Sequence, residues 1–154
     1  MARYDIVDGV RRFSRKPTIA YQRTVGNVSA LLDAYERRTH SGQTILPPCD
    51  VLITRNPLRT RQPDEPLPLL AAPELVVETL FPGETQQQRA DKIADYCAVG
   101  VRECWVASPD TWTVEVLRLS PEGAETISFY GRRQTVASVT FPDLCVLVDD
   151  IFAE

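Results

Sequence analysis

Histidine is nearly absent from this chain of 154 residues, since His40 is its one example. A single histidine cannot supply a histidine-rich metal site, and its place in a turn after a predicted helix favours a surface residue. The GxSxG nucleophile elbow, the GxxxxGK[ST] phosphate loop and the GxGxxG motif are also missing. These absences argue against hydrolase triads, P-loop ATPases and dinucleotide enzymes. Carboxylates and a lysine remain as candidate chemical groups.

The four cysteines, Cys49, Cys97, Cys104 and Cys145, show no CxxC spacing. That pattern indicates neither a zinc knuckle nor a redox motif, and we interpret the cysteines as reduced thiols in a cytoplasmic protein. No apolar run approaches the ~20 residues that span a bilayer, and the N-terminal residues contain no signal-peptide core. We therefore predict no membrane association.

The net charge of −4 conceals an asymmetry along the chain. Residues 1–64 carry a net charge of +5, whereas residues 65–154 carry a net charge of −9. A basic half is suited to a phosphate backbone, and a mixed solvated surface explains the same charges equally well.

Periodicity predicts a mixed α/β (α+β) fold in one domain over residues 1–154. Asp8-Gly9 predicts a two-residue hairpin, and residues 18–38 have helical spacing with a glycine stop at Gly42. Residues 73–107 read as a strand, a turn at Pro82-Gly83, an amphipathic helix from near Glu84 to Gly100, and a second strand. Further short strands follow to the end of the chain. The fold class is a mixed sheet flanked by helices.

One carboxylate interrupts the apolar strand predicted over residues 75–81: Glu78. A strand buried on both faces should be continuously hydrophobic, and an unpaired buried carboxylate is costly. Glu78 should therefore lie beside a cation or lie outside the buried sheet.

Asp64, Glu78 and Lys92 are evenly spaced, with two acids on or beside strands and the lysine on the following helix. Two converging carboxylates repel unless a hard cation lies between them, and Mg²⁺ binds through one or two carboxylates together with water and substrate phosphate. A nearby lysine would stabilise charge that develops on phosphorus. These are the parts needed for phosphodiester hydrolysis, although acids on strands are common.

Several motifs in order resemble one family. They are Tyr4-Asp5-Ile6-Val7-Asp8-Gly9, Gln62-Pro63-Asp64, Pro73-Glu74-Leu75-Val76-Val77-Glu78, Lys92-x-x-x-Tyr96-x-x-x-Gly100-Val101-x-Glu103-x-Trp105, and Val114-Glu115-Val116-Leu117 after a Pro-Asp turn. Together they resemble the Uma-type restriction endonucleases, a branch of the PD-(D/E)XK nuclease superfamily. The resemblance covers nearly the whole chain, and residues 75–117 are its specific part.

The resemblance implies a restriction-endonuclease-like core that binds Mg²⁺ or Mn²⁺ and acts on DNA. Asp64 and Glu78 match the family's metal carboxylates, and Lys92 matches a lysine relocated to the next helix, because Leu80 stands where the superfamily motif has its lysine. Tyr96 matches a companion tyrosine. Gln22 is a peripheral candidate. Duplex cleavage would need two sites, so a homodimer is compatible with this function.

Two alternatives remain open from the sequence. Phe81 stands where the family usually has serine, and a proline-rich segment follows Asp64. Both features favour a catalytically inactive relative that binds DNA or a protein partner through the same fold. A metal-dependent enzyme acting on a small phosphoester would use the same three residues.

Overall fold

The computed structural model describes residues 3–7, 10–14, 18–40, 43–45, 51–54 and 73–154. The elements in chain order are β1 (Arg3–Val7), β2 (Val10–Ser14), α1 (Ile19–Thr39), β3 (Gln43–Ile45), β4 (Val51–Thr54), β5 (Leu75–Thr79), α2 (Gln86–Val99), β6 (Glu103–Ser108), β7 (Thr113–Ser120), β8 (Gly123–Tyr130), β9 (Thr135–Ala137), β10 (Cys145–Leu147) and α3 (Val148–Ile151).

A six-stranded mixed sheet forms the centre, in the order β3-β4-β5-β6-β7-β8. Only β5 and β6 pair in parallel among these strands, and the other neighbours are antiparallel. The parallel pair is connected through α2, as a parallel pair requires a crossover. The predicted mixed sheet flanked by helices is confirmed. The β1–β2 pairing, with Val7 opposite Val10, also matches the predicted hairpin.

Side chains of β5 alternate between two hydrophobic cores on opposite faces of the sheet. Leu75 and Val77 join the core that contains buried α1 residues, whereas Val76 joins the core that contains Cys97 of α2. Every residue of β5 is buried, because a helix covers each face. The buried, apolar strand that the sequence predicts is therefore present, and it ends at Thr79 before the Pro82-Gly83 turn.

Helix α1 begins after Thr18, whose hydroxyl accepts a hydrogen bond from the Tyr21 amide at 3.1 Å. The helix ends at Thr39, within the predicted stop segment of residues 39–42; Gly42 itself lies outside the described residues, and the cap is His40. This residue adopts the left-handed conformation with φ 53°, and its amide donates to the Glu36 carbonyl at 2.7 Å. A histidine can adopt this conformation, although glycine does so at lower cost.

Helix α2 has a defined signal at each end. Thr85 and Gln88 form a reciprocal capping box, which satisfies amide donors that the first turn leaves unpaired. At the other end Gly100 adopts φ 93° as the predicted C-cap, a conformation that favours glycine. The helix thus starts at Gln86, slightly after the predicted start at Glu84. In the described part of the chain, no helix combines the length and apolarity needed to cross a membrane.

Glu103 at the start of β6 is fully buried and binds the segment that follows β9. Its carboxylate accepts hydrogen bonds from the Trp105 indole at 3.0 Å, the Ser138 hydroxyl at 2.6 Å and the amides of Val139 and Thr140 at 3.0 and 3.1 Å. Buried charge is tolerated when hydrogen-bond donors surround it. Glu103 is therefore a structural residue on the α1 side of the sheet.

Replacing Glu103 by alanine should lower the free energy of unfolding by on the order of 3 kcal/mol, because several buried donors lose their acceptor. Urea unfolding followed by circular dichroism measures the change. Glu122→Ala, on the exposed β7–β8 turn, is the control and should shift stability by less than about 0.5 kcal/mol. Equal midpoints for the two variants would contradict this account.

Candidate active site

Glu78 lies near the carboxyl end of β5, on the face of the sheet that α2 covers. It follows Val76 by two residues, so the two side chains point to the same face, and Glu78 is only 6% exposed. The strand buries this carboxylate among apolar neighbours, which requires polar partners nearby.

Two side chains of α2 supply such partners. The Tyr96 hydroxyl donates a hydrogen bond to Glu78 Oε1, and Lys92 Nζ lies 3.8 Å from Glu78 Oε2. Lys92 and Tyr96 are four residues apart and therefore share one face of the helix. The structure thus provides the cation that the sequence predicted beside Glu78.

Glu84 belongs to the same cluster, and the sequence analysis missed this. It lies in the turn before α2, where its amide donates to the Phe81 carbonyl at 2.9 Å. Its carboxylate Oε1 is 2.8 Å from Lys92 Nζ, closer than Glu78 is. Sequence reasoning assigned Glu84 only to the helix N-terminus. Because Glu84 lies in the turn before α2, helical spacing does not place it beside Lys92, and only the fold brings the two residues together.

Gln22, the peripheral candidate, is not brought to this cluster. Asp64 lies outside the described residues. Gln22 is exposed on α1, the helix on the opposite face of the sheet. Phe81, the departure from the family's serine, packs edge-on against Tyr21 of α1 with ring centroids 5.1 Å apart. Its ring therefore contacts α1.

A second polar cluster lies beside the first on the α2 face. Arg89 Nη2 of α2 is 2.5 Å from Glu115 Oε2 of β7, and the Thr126 hydroxyl of β8 donates to Glu115 Oε1 at 2.7 Å. Glu78 pairs with Val106, and Val106 pairs with Glu115, so both acids stand in one cross-strand row.

The donor atoms around Glu78 suit a hard cation. Carboxylate oxygens are the protein groups that bind Mg²⁺, and the Lys92 ammonium already occupies a position where Glu78 and Glu84 favour positive charge. Within residues 18–40 and 73–154 and the described strands, no group of three or more His, Cys, Asp or Glu residues could hold a metal ion. The second metal carboxylate that the sequence predicts is Asp64, which lies outside the described residues.

A solved structure and a family model match this chain. The chain is similar to the crystal structure of a "putative nuclease belonging to DUF820" from Anabaena variabilis, with a TM-score of 0.74 and 17% identity over 97% of this chain and 89% of that chain. At this identity the likeness establishes the fold.

The model of the Uma2 family, described as "Putative restriction endonuclease", matches residues 1–149. The chain therefore belongs to the Uma2 family. No curated protein matches the sequence. The family resemblance seen in the motifs is confirmed.

Lys92→Met should lower the free energy of unfolding by about 1–2 kcal/mol, because buried Glu78 and partly buried Glu84 then lose this cation. Partial exposure of Lys92 reduces the effect. Adding Glu84→Gln to this variant should cost less than Glu84→Gln costs alone, since the ion pair is already broken. Urea unfolding of the four proteins measures this coupling.

Arg37→Met provides the matched control, because Arg37 pairs with Asp33 at 3.0 Å on the exposed face of α1. Exposed pairs contribute little, so stability should change by less than about 0.5 kcal/mol. Strictly additive effects of Lys92→Met and Glu84→Gln would show that the two residues do not interact in solution.

Proposed function

We propose that this chain is a metal-dependent endonuclease that hydrolyses DNA phosphodiester bonds, with Mg²⁺ or Mn²⁺ held by Asp64 and Glu78 and with Lys92 as the third catalytic residue. The observation that carries the proposal is the approach of Lys92 Nζ to Glu78 Oε2, 3.8 Å apart at the carboxyl end of a buried strand. Membership of a family described as restriction endonucleases supports the reaction class.

Each residue has a distinct task in this proposal. Glu78 would bind the ion through a carboxylate whose orientation is set by the Tyr96 hydroxyl. When bound, the ion supplies Lewis-acid polarisation of a phosphoryl oxygen and eases deprotonation of a water. Lys92 would stabilise the negative charge that develops on the phosphoryl oxygens. Tyr96 acts through Glu78 and is therefore a positioning residue.

In this proposal Glu84 is the carboxylate that holds the Lys92 ammonium in place. The ammonium is 2.8 Å from Glu84 Oε1 but 3.8 Å from Glu78 Oε2, so its shorter contact is to the carboxylate that the proposal leaves without metal. An ammonium at hydrogen-bond distance from Glu84 can remain near the phosphate while Glu78 serves the metal. Asp64 enters the proposal through the family motif, as the second metal carboxylate.

The inactive relative is the competing proposal, and it depends on Phe81 and on the proline-rich segment after Asp64, which lies outside the described residues. The contact of Phe81 with Tyr21 on the α1 side leaves Lys92 and Tyr96 in contact with Glu78. This packing favours the catalytic proposal. A cytoplasmic location and a homodimer, which would supply two sites for duplex cleavage, stay predictions; light scattering in solution measures the latter.

Wild-type protein should cleave supercoiled or single-stranded DNA when Mg²⁺ or Mn²⁺ is added. Glu78→Gln and Lys92→Met should each lower the cleavage rate by about 100-fold or more, because both act on charge that develops in the transition state. Gel assays with circular DNA measure nicking, and circular dichroism checks that each variant is folded. Tyr96→Phe should have a smaller effect, because the tyrosine only orients Glu78.

Glu122→Gln is the matched acid control, because Glu122 is exposed on the β7–β8 turn; it should cleave like wild type. If wild type leaves every DNA substrate intact and binds neither metal, the nuclease proposal is wrong. Cleavage of a small phosphodiester without cleavage of DNA would identify the small-substrate alternative.

Metal binding can be observed apart from cleavage, because the chain contains only two lysines, Lys16 and Lys92. Labelling lysine with ¹³C at Cε therefore gives two resonances, which Lys92→Arg assigns. Substoichiometric Mn²⁺ should broaden the Lys92 resonance, and both Glu78→Gln and Asp64→Asn should reduce that broadening. Broadening that is unchanged in Glu78→Gln would exclude Glu78 as a ligand.

A further inference from the structure

The cluster of Arg89, Glu115 and Thr126 has no part in the mechanism above, yet it lies on the same face of the sheet as Glu78. It joins three elements, since Arg89 lies on α2, Glu115 on β7 and Thr126 on β8. Both oxygens of the Glu115 carboxylate are engaged, Oε2 by Arg89 and Oε1 by Thr126. The carboxylate is thus held in a fixed orientation by a neighbour strand while it binds the helix.

The Arg89–Glu115 pair is less exposed than the pair of Arg118 and Glu125, which joins β7 to β8. The Arg89 and Glu115 side chains are 33% and 20% exposed, whereas Arg118 and Glu125 are 58% and 72% exposed and 3.9 Å apart. Partly buried pairs are screened less by salt and water than exposed ones. The Arg89–Glu115 contact therefore constrains α2 more strongly than a surface pair would.

The spacing of the contact residues along α2 matches the spacing of the two acids across the sheet. Glu78 and Glu115 are separated by one intervening strand in the same row, which corresponds to about 10 Å across the sheet. Helix α2 advances by about 10 Å between Arg89 and Tyr96. Arg89, Lys92 and Tyr96 also share one helix face, because they follow at spacings of three and four. Helix α2 therefore contacts this row of acids at two points, Glu115 and Glu78.

We propose that Arg89 is a positioning residue: its pair with Glu115 fixes α2 over the sheet and thereby sets where Lys92 and Tyr96 meet Glu78. This inference deepens the proposed function and rests on it. Lys92 follows Arg89 by one helical turn, so a sliding or rotation of the helix at Arg89 moves the ammonium relative to the Glu78 carboxylate. The apolar residues packed under α2 permit such sliding, because apolar contacts are non-directional. A charge-assisted hydrogen bond, in contrast, fixes the direction and the register of the helix.

Three variants test this role: Arg89→Gln, Arg89→Lys and the control Arg118→Gln. Arg89→Gln should lower kcat for DNA cleavage by about tenfold or more, since displacements near 1 Å at a catalytic group have effects of up to about 100-fold. KM and the salt dependence of binding should stay at the wild-type values. Arg89→Lys should recover part of kcat, because it restores a cation opposite Glu115, and Arg118→Gln should match wild type.

A readout that does not need catalysis is the ¹³Cε resonance of Lys92 in the metal-free protein. Arg89→Gln should shift this resonance, and Arg118→Gln should leave it in place. If wild type proves inactive but Arg89→Gln shifts the Lys92 resonance, the proposed function fails and the positioning role stands.

Two results would overturn the inference. An Arg89→Gln protein with lower melting temperature but unchanged kcat and Lys92 resonance would show that Arg89 only stabilises the fold. A raised KM together with a salt slope reduced by about one would show that Arg89 contacts a DNA phosphate directly.

Discussion

The burial of one carboxylate near the end of a strand that is covered on both faces constrains the candidate site. Glu78 occupies a strand in which every residue is buried, and desolvation of its charge must be offset by donors or cations. Those partners arrive from α2, as the Tyr96 hydroxyl and the Lys92 ammonium. A hydrophobic residue at this position would pack at least as well, so the acid is difficult to explain by stability alone.

The parallel pairing of β5 and β6 places α2 over Glu78. A parallel pair requires a crossover, and the crossover α2 packs on the face towards which Glu78 points. The helix starts at a capping box and ends at a left-handed glycine, so its length and its direction are specified at both ends. Glu84 in the preceding turn and Glu115 on β7 then bind cations of the same helix. Local helix signals and sheet topology together define the positions of the charged side chains.

Some residues of this site could be predicted from the sequence and others could not, for physical reasons. The apolar run around Glu78 identified a buried strand, and Gly100 identified the helix end, because both depend on neighbouring residues. The pairing of Glu78 with Lys92 followed from charge balance and from the family resemblance. Arg89 and Glu115 could not be paired in advance, since they meet only when β6 and β7 form their register. The cap at His40 was missed because a non-glycine residue in the left-handed conformation depends on its surroundings more than on its type.

The sequence separation of the side-chain contacts differs between the two faces of the sheet. Tyr96 meets Glu78 across a sequence separation of 18 residues, whereas Ser138 reaches Glu103 across 35 and Asn27 reaches the Ile151 carbonyl across 124. Short loops close with less loss of entropy, and proteins rich in local contacts fold faster. We therefore expect the β5-α2-β6 unit to assemble its charged cluster early and to act as a folding nucleus, on which the α1 side condenses later. Glu78 and Lys92, two of the residues proposed for catalysis, would then also belong to the part of the chain that organises the rest during folding.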